Sequence, residues 1–98
     1  MIIAEISVVP LGEGTSISRF VRFAMSELKK TEMKTLVGPM STSVEAETLD
    51  DVLLAVKSAH QAVVNAGAKR VVTTLKIDDR RDKQATMKTK IDAVKEST

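Results

Sequence analysis

The apolar residues of this chain change their spacing in a fixed order: a period of two, then 3.6, then two, and the whole series runs twice. Ile2, Ala4, Ile6 and Val8 alternate with Ile3, Glu5, Ser7 and Val9. That is the pattern of a strand over 2–9, and Pro10 stops it. Ile17, Phe20, Val21, Ala24, Met25 and Leu28 then recur at steps of three and four, which predicts an amphipathic helix over 16–30 with Thr15 or Ser16 as its N-cap. Two short strands, over 34–38 and 40–47, meet at Gly38-Pro39. A second helix over 49–66 carries a stripe of Leu49, Val52, Leu53, Val56, His60 and Val63. Thr48 can cap it, Asp50 and Asp51 suit the positive end of its dipole, and Gly67 stands where a helix C′ residue belongs. A fourth strand over 70–77 follows. The remainder reads as a third helix, entered through Asp78 or Asp79, with a sparse stripe of Met87, Ile91 and Val94.

The order βαββαβ with a terminal helix predicts an α+β, ferredoxin-like sandwich: one domain spanning 1–98, a four-stranded antiparallel sheet and both crossover helices on one face. The face under the helices takes Ile2, Ala4, Ile6, Val8, Thr42, Val44, Ala46, Val71, Thr73, Leu75 and Ile77. The other face, expected to be bare, takes Glu5, Ser7, Val9, Ser41, Ser43, Glu45, Glu47, Arg70, Val72, Thr74 and Lys76. Glu5, Ser7, Ser43 and Glu45 then cluster in mid-sheet, where like charges need cations or a boundary to meet them. They are expected to face a neighbouring subunit or a ligand rather than bulk water.

Composition excludes several classes of function. Net charge is only +2, with fifteen Lys and Arg interleaved among thirteen Asp and Glu, so no basic stripe marks a nucleic-acid partner. Trp and Tyr are absent and Phe20 and Phe23 are the only rings, which argues against base stacking. There is no Cys for a disulfide, a thiolate nucleophile or a thiolate metal site. No apolar run is long enough to cross a bilayer and no signal-peptide pattern opens the chain, so a cytoplasmic protein is expected. A core built without large rings in a chain this short often gains stability by self-association.

Isolated features are read plainly. His60, alone in an apolar stripe, is expected to be buried and bonded to a hydroxyl of Thr42 or Thr73, since no further ligands stand at metal spacing. The loop Gly12–Ser16 opens a helix but matches no phosphate-binding fingerprint. The charged run Lys76–Lys83 is a strand-to-helix junction, or a set of subunit contacts if a neighbour covers it. Phe23 lies off its helix stripe and is expected to touch a subunit or a ligand.

Four segments, "AEISVVPLG", "GPMSTSVEAE", "AVKSAHQAVVNAG" and "RVVTTLKIDDRRD", resemble the small thiamine-binding protein family related to YkoF, and the resemblance runs from about Ile2 to Val94. It implies the same ferredoxin-like fold, assembly into homodimers and homotetramers through the open sheet faces, and binding of thiamine (vitamin B1) or its hydroxymethylpyrimidine part. It implies no catalytic activity, no metal and no cofactor beyond that possible ligand. Carried onto this sequence, it points to Thr42 and Glu45, and with their neighbours Ser43 and Ser7 these are the expected ligand-binding residues. A carboxylate suits an aminopyrimidine and can balance a thiazolium. The alternative is an oligomeric interaction module without a small ligand. An acylphosphatase-like enzyme on this fold would want an Arg in the loop after the first strand with an Asn nearby. The first Arg is Arg19, and the only Asn is Asn65, at the end of the second helix.

Overall fold

Alternating aliphatics make the strands and the 3.6-residue stripes make the helices, in the order expected. A computed structural model describes residues 1–14 and 17–97. Its elements are β1 (Ile2–Pro10), α1 (Ser18–Lys30), β2 (Lys34–Val37), β3 (Thr42–Ala46), α2 (Leu49–Asn65), β4 (Val71–Asp78) and α3 (Met87–Ser97). Thr15 and Ser16, expected to cap α1, lie outside the described residues. The strands form one antiparallel sheet in the order β2-β3-β1-β4, the ferredoxin-like arrangement.

The two long crossings leave β1 unevenly covered. Against β4 it pairs from Ile3 to Pro10, but against β3 only from Ile2 to Ile6. The β2–β3 turn is the cause. The Gly38 N–H donates to the Ser41 carbonyl at 2.9 Å and closes a tight turn, so Met40 and Ser41, expected in the third strand, belong to the turn. β1 therefore overhangs β3 from Ser7 onwards.

The core lies between the sheet and the pair α1, α2. Ala4, Ile6, Val44, Leu28, Val52 and Val63 are all at most 3% exposed. Ala55 and Ala59 are fully buried in α2, and such small side chains let the helix approach closely. The buried line of α2 is therefore Val52, Ala55, Ala59 and Val63, rotated from the expected stripe: Leu49 and Leu53 remain 43% and 46% exposed. The caps are as expected. Thr48 accepts from the Asp51 N–H at 3.1 Å. Gly67 takes a left-handed φ of 107° at C′, with Gly67 and Ala68 donating back to the Val64 and Val63 carbonyls.

The third helix departs from expectation twice. It begins at Met87, not at Asp78, which is the last residue of β4. Arg80 pairs with Asp82 and Arg81 with Asp79, contacts between residues two apart that a helix would not bring face to face. The cap is Thr86: its hydroxyl accepts from the Thr89 N–H at 3.1 Å, and the Thr89 hydroxyl accepts from the Thr86 N–H at 2.9 Å, a reciprocal box.

Its position is the second departure. α3 packs on the sheet face expected to carry no helix. The Met87 N–H donates to the Glu45 carboxylate, Ala85 and Met87 are each 6% exposed, and Lys90 pairs with Asp78 at 2.5 Å. Lys34, Glu45, Ile3 and Asp78 form one row across that face, and α3 docks over it. The hydrogen bond from Lys90 holds the Asp78 carboxyl below its ordinary value of 3.8, helped by the charge of the same ammonium. A lowered carboxyl contributes its stabilisation above the unfolded value and loses it as pH falls through the folded one. Hydrogen-exchange protection factors in α3, corrected for the intrinsic pH dependence of exchange, are thus expected to fall below about pH 4 in wild type. A Lys90→Met variant should not show that Asp78-linked increment.

Candidate ligand-binding cleft

The overhang of β1 leaves a cleft of about 210 Å³ between the sheet end and α1. Ile6 and Val8 line it from β1, Val21 and Met25 from α1, and Met40 and Thr42 from the turn and the start of β3. Among the described residues, no charged side chain lines it.

Backbone polarity gives this apolar cleft a polar edge. The Leu11 N–H donates to the Arg70 carbonyl at 2.8 Å, so Leu11 turns its peptide groups towards the β4 side. Groups along an antiparallel strand alternate. Val9, Ser7 and Glu5 thus bond towards β4, while Ile6, opposite Thr42, bonds towards β3. Val8 is the next residue to turn its N–H and C=O to the β3 side, and β3 has already ended there. Among the described residues no backbone partner meets them, so one donor and one acceptor stand side by side at the cleft, as they would for another strand. Thr42, 7% exposed, adds a hydroxyl that donates to the Met25 sulfur at 3.2 Å and keeps acceptor capacity.

Of the residues expected to bind ligand, the fold brings Ser7 and Thr42 to this cleft and leaves the other two outside it. Ser43 is half-buried on the α3 side of the sheet, directly opposite Glu5. Glu45 is 6% exposed and engaged with the first turn of α3. The register keeps Glu5, Ser43 and Glu45 together on one face of adjacent strands, and α3 and neighbouring residues meet them there. Glu5 stands between Ser43 and Lys76, Glu45 between Ile3 and Lys34, and Glu47 lies beyond the strand. Glu45 is the carboxylate with the lowest exposure because a helix N-terminus, favourable to negative charge, is placed on it.

His60 is half-buried on α2 and shares a 2.6 Å hydrogen bond between its Nδ1 and the Thr73 hydroxyl, the second of its two expected partners. Phe23 is 46% exposed on α1 and does not line the cleft. The cleft residues missed from sequence are Val8 and Met25. Their signal was a strand-length mismatch, nine residues in β1 against five in β3, hidden because Met40 and Ser41 also fit an alternating pattern.

Among the described residues, no helix is long and apolar enough to cross a membrane. The sequence model of the family described as thiamine-binding protein matches residues 4–95. A UPF0045 protein of Methanothermobacter thermautotrophicus is 50% identical over 97 residues, covering 98% of each chain. The crystal structure of a hypothetical protein from Methanocaldococcus jannaschii superposes with a TM-score of 0.90 at 42% identity, covering 97% of this chain and 96% of that one. A structure from Thermotoga maritima, described as a proposed thiamine biosynthesis/salvage protein, superposes with a TM-score of 0.81 at 28% identity, covering 95% and 97%.

Proposed function

The chain belongs to the thiamine-binding protein family, and from that premise we propose that it binds thiamine, through its aminopyrimidine ring, in the cleft beside α1. It does so as a homo-oligomer and without catalysis. The observation that carries this reading is the uncharged cleft with the Val8 peptide groups at its edge. An aminopyrimidine presents a ring nitrogen that accepts and an exocyclic amine that donates, which matches the Val8 N–H and C=O. Thr42 can accept the second amine proton, and Met25, Val21 and Met40 supply apolar walls where other sites use aromatic rings. A volume of about 210 Å³ is below the roughly 300–1,000 Å³ of drug-sized pockets. The cleft accordingly takes one ring, and the thiazolium stays at the solvent mouth. The charge-balancing role expected of Glu45 is not needed in this pose.

Calorimetry with thiamine and with hydroxymethylpyrimidine tests the reading. Both should bind wild type. Thr42→Val keeps the shape and loses the hydroxyl, and should weaken each by about 0.5–1.5 kcal/mol. Val21→Trp, at a position 38% exposed, should fill the mouth and abolish binding while leaving the melting temperature close to wild type. Glu45→Gln should leave affinity unchanged. Absence of binding to wild type at millimolar ligand would remove the ligand reading and favour the interaction module, which the exposure of Leu54 (63%), Val94 (64%) and Phe23 (46%) also suits.

A further inference from the structure

The apolar stripe of α1 asks only for a hydrophobic side chain at position 25, and leucine would fill it as well. Methionine adds an acceptor, because a thioether sulfur has lone pairs and no proton. That sulfur lies 3.2 Å from the Thr42 hydroxyl. Chemistry alone therefore fixes the direction of the contact: Thr42 donates and Met25 accepts. The His60–Thr73 pair is different, since either partner there can carry the proton. A hydroxyl has one proton and two acceptor sites. With its proton committed to Met25, Thr42 meets a ligand as an acceptor. At 7% exposure, it leaves water little access to compete for that proton. Nor can it readily shift, because it opens β3 and is paired on both sides, with Ile6 of β1 and Val37 of β2. Ser7 and Ser41 also bring hydroxyls to the cleft. Among the described residues neither makes a side-chain hydrogen bond, so each can turn to donate or to accept as a ligand requires. Thr42 is the cleft hydroxyl whose polarity the protein sets in advance.

We propose, on the premise of the thiamine-binding reading above, that Met25 is a positioning residue for specificity. It holds the Thr42 hydroxyl as an acceptor, and the cleft thereby selects a pyrimidine bearing an amino group over the same ring bearing an oxo group. An amino group gives one proton to the Val8 carbonyl and the second to Thr42. An oxo group gives neither, and it sets an oxygen against the lone pairs of Thr42. To receive a proton there, it needs the hydroxyl to turn away from Met25, and the sulfur then loses its donor. A site whose hydrogen-bonding groups are set in advance discriminates because a mismatched ligand leaves them unpaired. The Val8 peptide groups also disfavour the oxo ring. They are main chain and stay the same in every variant, so their share cancels when variants are compared.

The test is calorimetry with thiamine and with oxythiamine, its analogue carrying an oxo group in place of the amine, across a double-mutant cycle of Met25→Leu and Thr42→Val. Met25→Leu conserves volume and apolar character, and circular dichroism checks that every variant is folded. Wild type should prefer thiamine. Met25→Leu frees the Thr42 proton, so oxythiamine gains and the preference should narrow by about three- to tenfold, the worth of one hydrogen bond. Thr42→Val should narrow it as well. Adding Met25→Leu to Thr42→Val should then change the preference no further, because the sulfur has no hydroxyl left to hold. A side chain acting only as an apolar wall would shift both ligands alike, and equally in either background. An unchanged preference in Met25→Leu, the same narrowing with and without the Thr42 hydroxyl, or equal binding of the two compounds by wild type overturns the role of Met25 and leaves the ligand reading standing. Wild type that binds neither compound at millimolar concentration overturns both.

Discussion

Leu28→Ala is expected to lower the free energy of unfolding by about 3–5 kcal/mol, near the upper end for a buried leucine. Leu28 is 2% exposed on α1 and is among the largest fully enclosed side chains. Its neighbours offer little to collapse into the space, because the core is rich in Ala4, Ala24, Ala46, Ala55 and Ala59 and contains one buried ring, Phe20. Small side chains on a stiff sheet relax poorly into a void, so the cavity persists and its cost adds to the lost transfer free energy. A domain of this size has roughly 5–15 kcal/mol of stability in total, so a large part of it would be removed. Urea unfolding with an unchanged slope is the measurement. A loss below about 1 kcal/mol would show that Leu28 is not a central core residue. Because Leu28 also lines the cleft, the variant should bind hydroxymethylpyrimidine more weakly even where it remains folded.

Glu45→Ala should cost about 1–3 kcal/mol and release α3. The Glu45 carboxylate is buried and accepts from the Met87 N–H, so truncation leaves a helix N-terminus against the sheet without its acceptor. Glu45→Gln keeps an acceptor oxygen and forfeits only the charge, worth about 0.3–1 kcal/mol at a helix N-terminus. The expected order of stability is wild type, Gln, Ala. Amide exchange should report the loss as faster exchange confined to α3, with β3 unaffected. Equal damage from Gln and Ala would mean that the charge, and not the acceptor, holds the helix. Undisturbed exchange in α3 in the Ala variant would mean that the Lys90–Asp78 pair and the burial of Ala85 and Met87 suffice.

Position on each element was legible in the sequence, since one-dimensional period reports which side of a strand or helix is apolar. Thr48 at the start of α2 and Gly67 at its end were legible for the same reason: capping is a contact between residues three or four apart. What misled was always a choice among locally equivalent options. Asp78, Asp79 and Thr86 are all acceptable caps, and the pairing of β4 with β1 as far as Asp78 excluded the first two. Leu49 and Leu53 look more core-like than Ala55 and Ala59, but the close approach of α2 placed the alanines innermost.

The candidate site divides along the same line. Ser7 and Thr42 could be named from sequence, but the grouping of Glu45 and Ser43 with them could not be tested there. A period of two tells which face Glu45 occupies and says nothing of what packs on that face. Sequence alone determined the element order, the ferredoxin-like sheet and the side on which each residue of β1, β3 and β4 lies, because those are consequences of local spacing and of right-handed crossover. Only the tertiary structure decided that α3 folds onto Glu45, that β1 outruns β3 and that Val8 is left with its peptide groups facing a cleft. Each of these depends on where two segments distant in sequence end relative to one another, a length relation that no local pattern encodes.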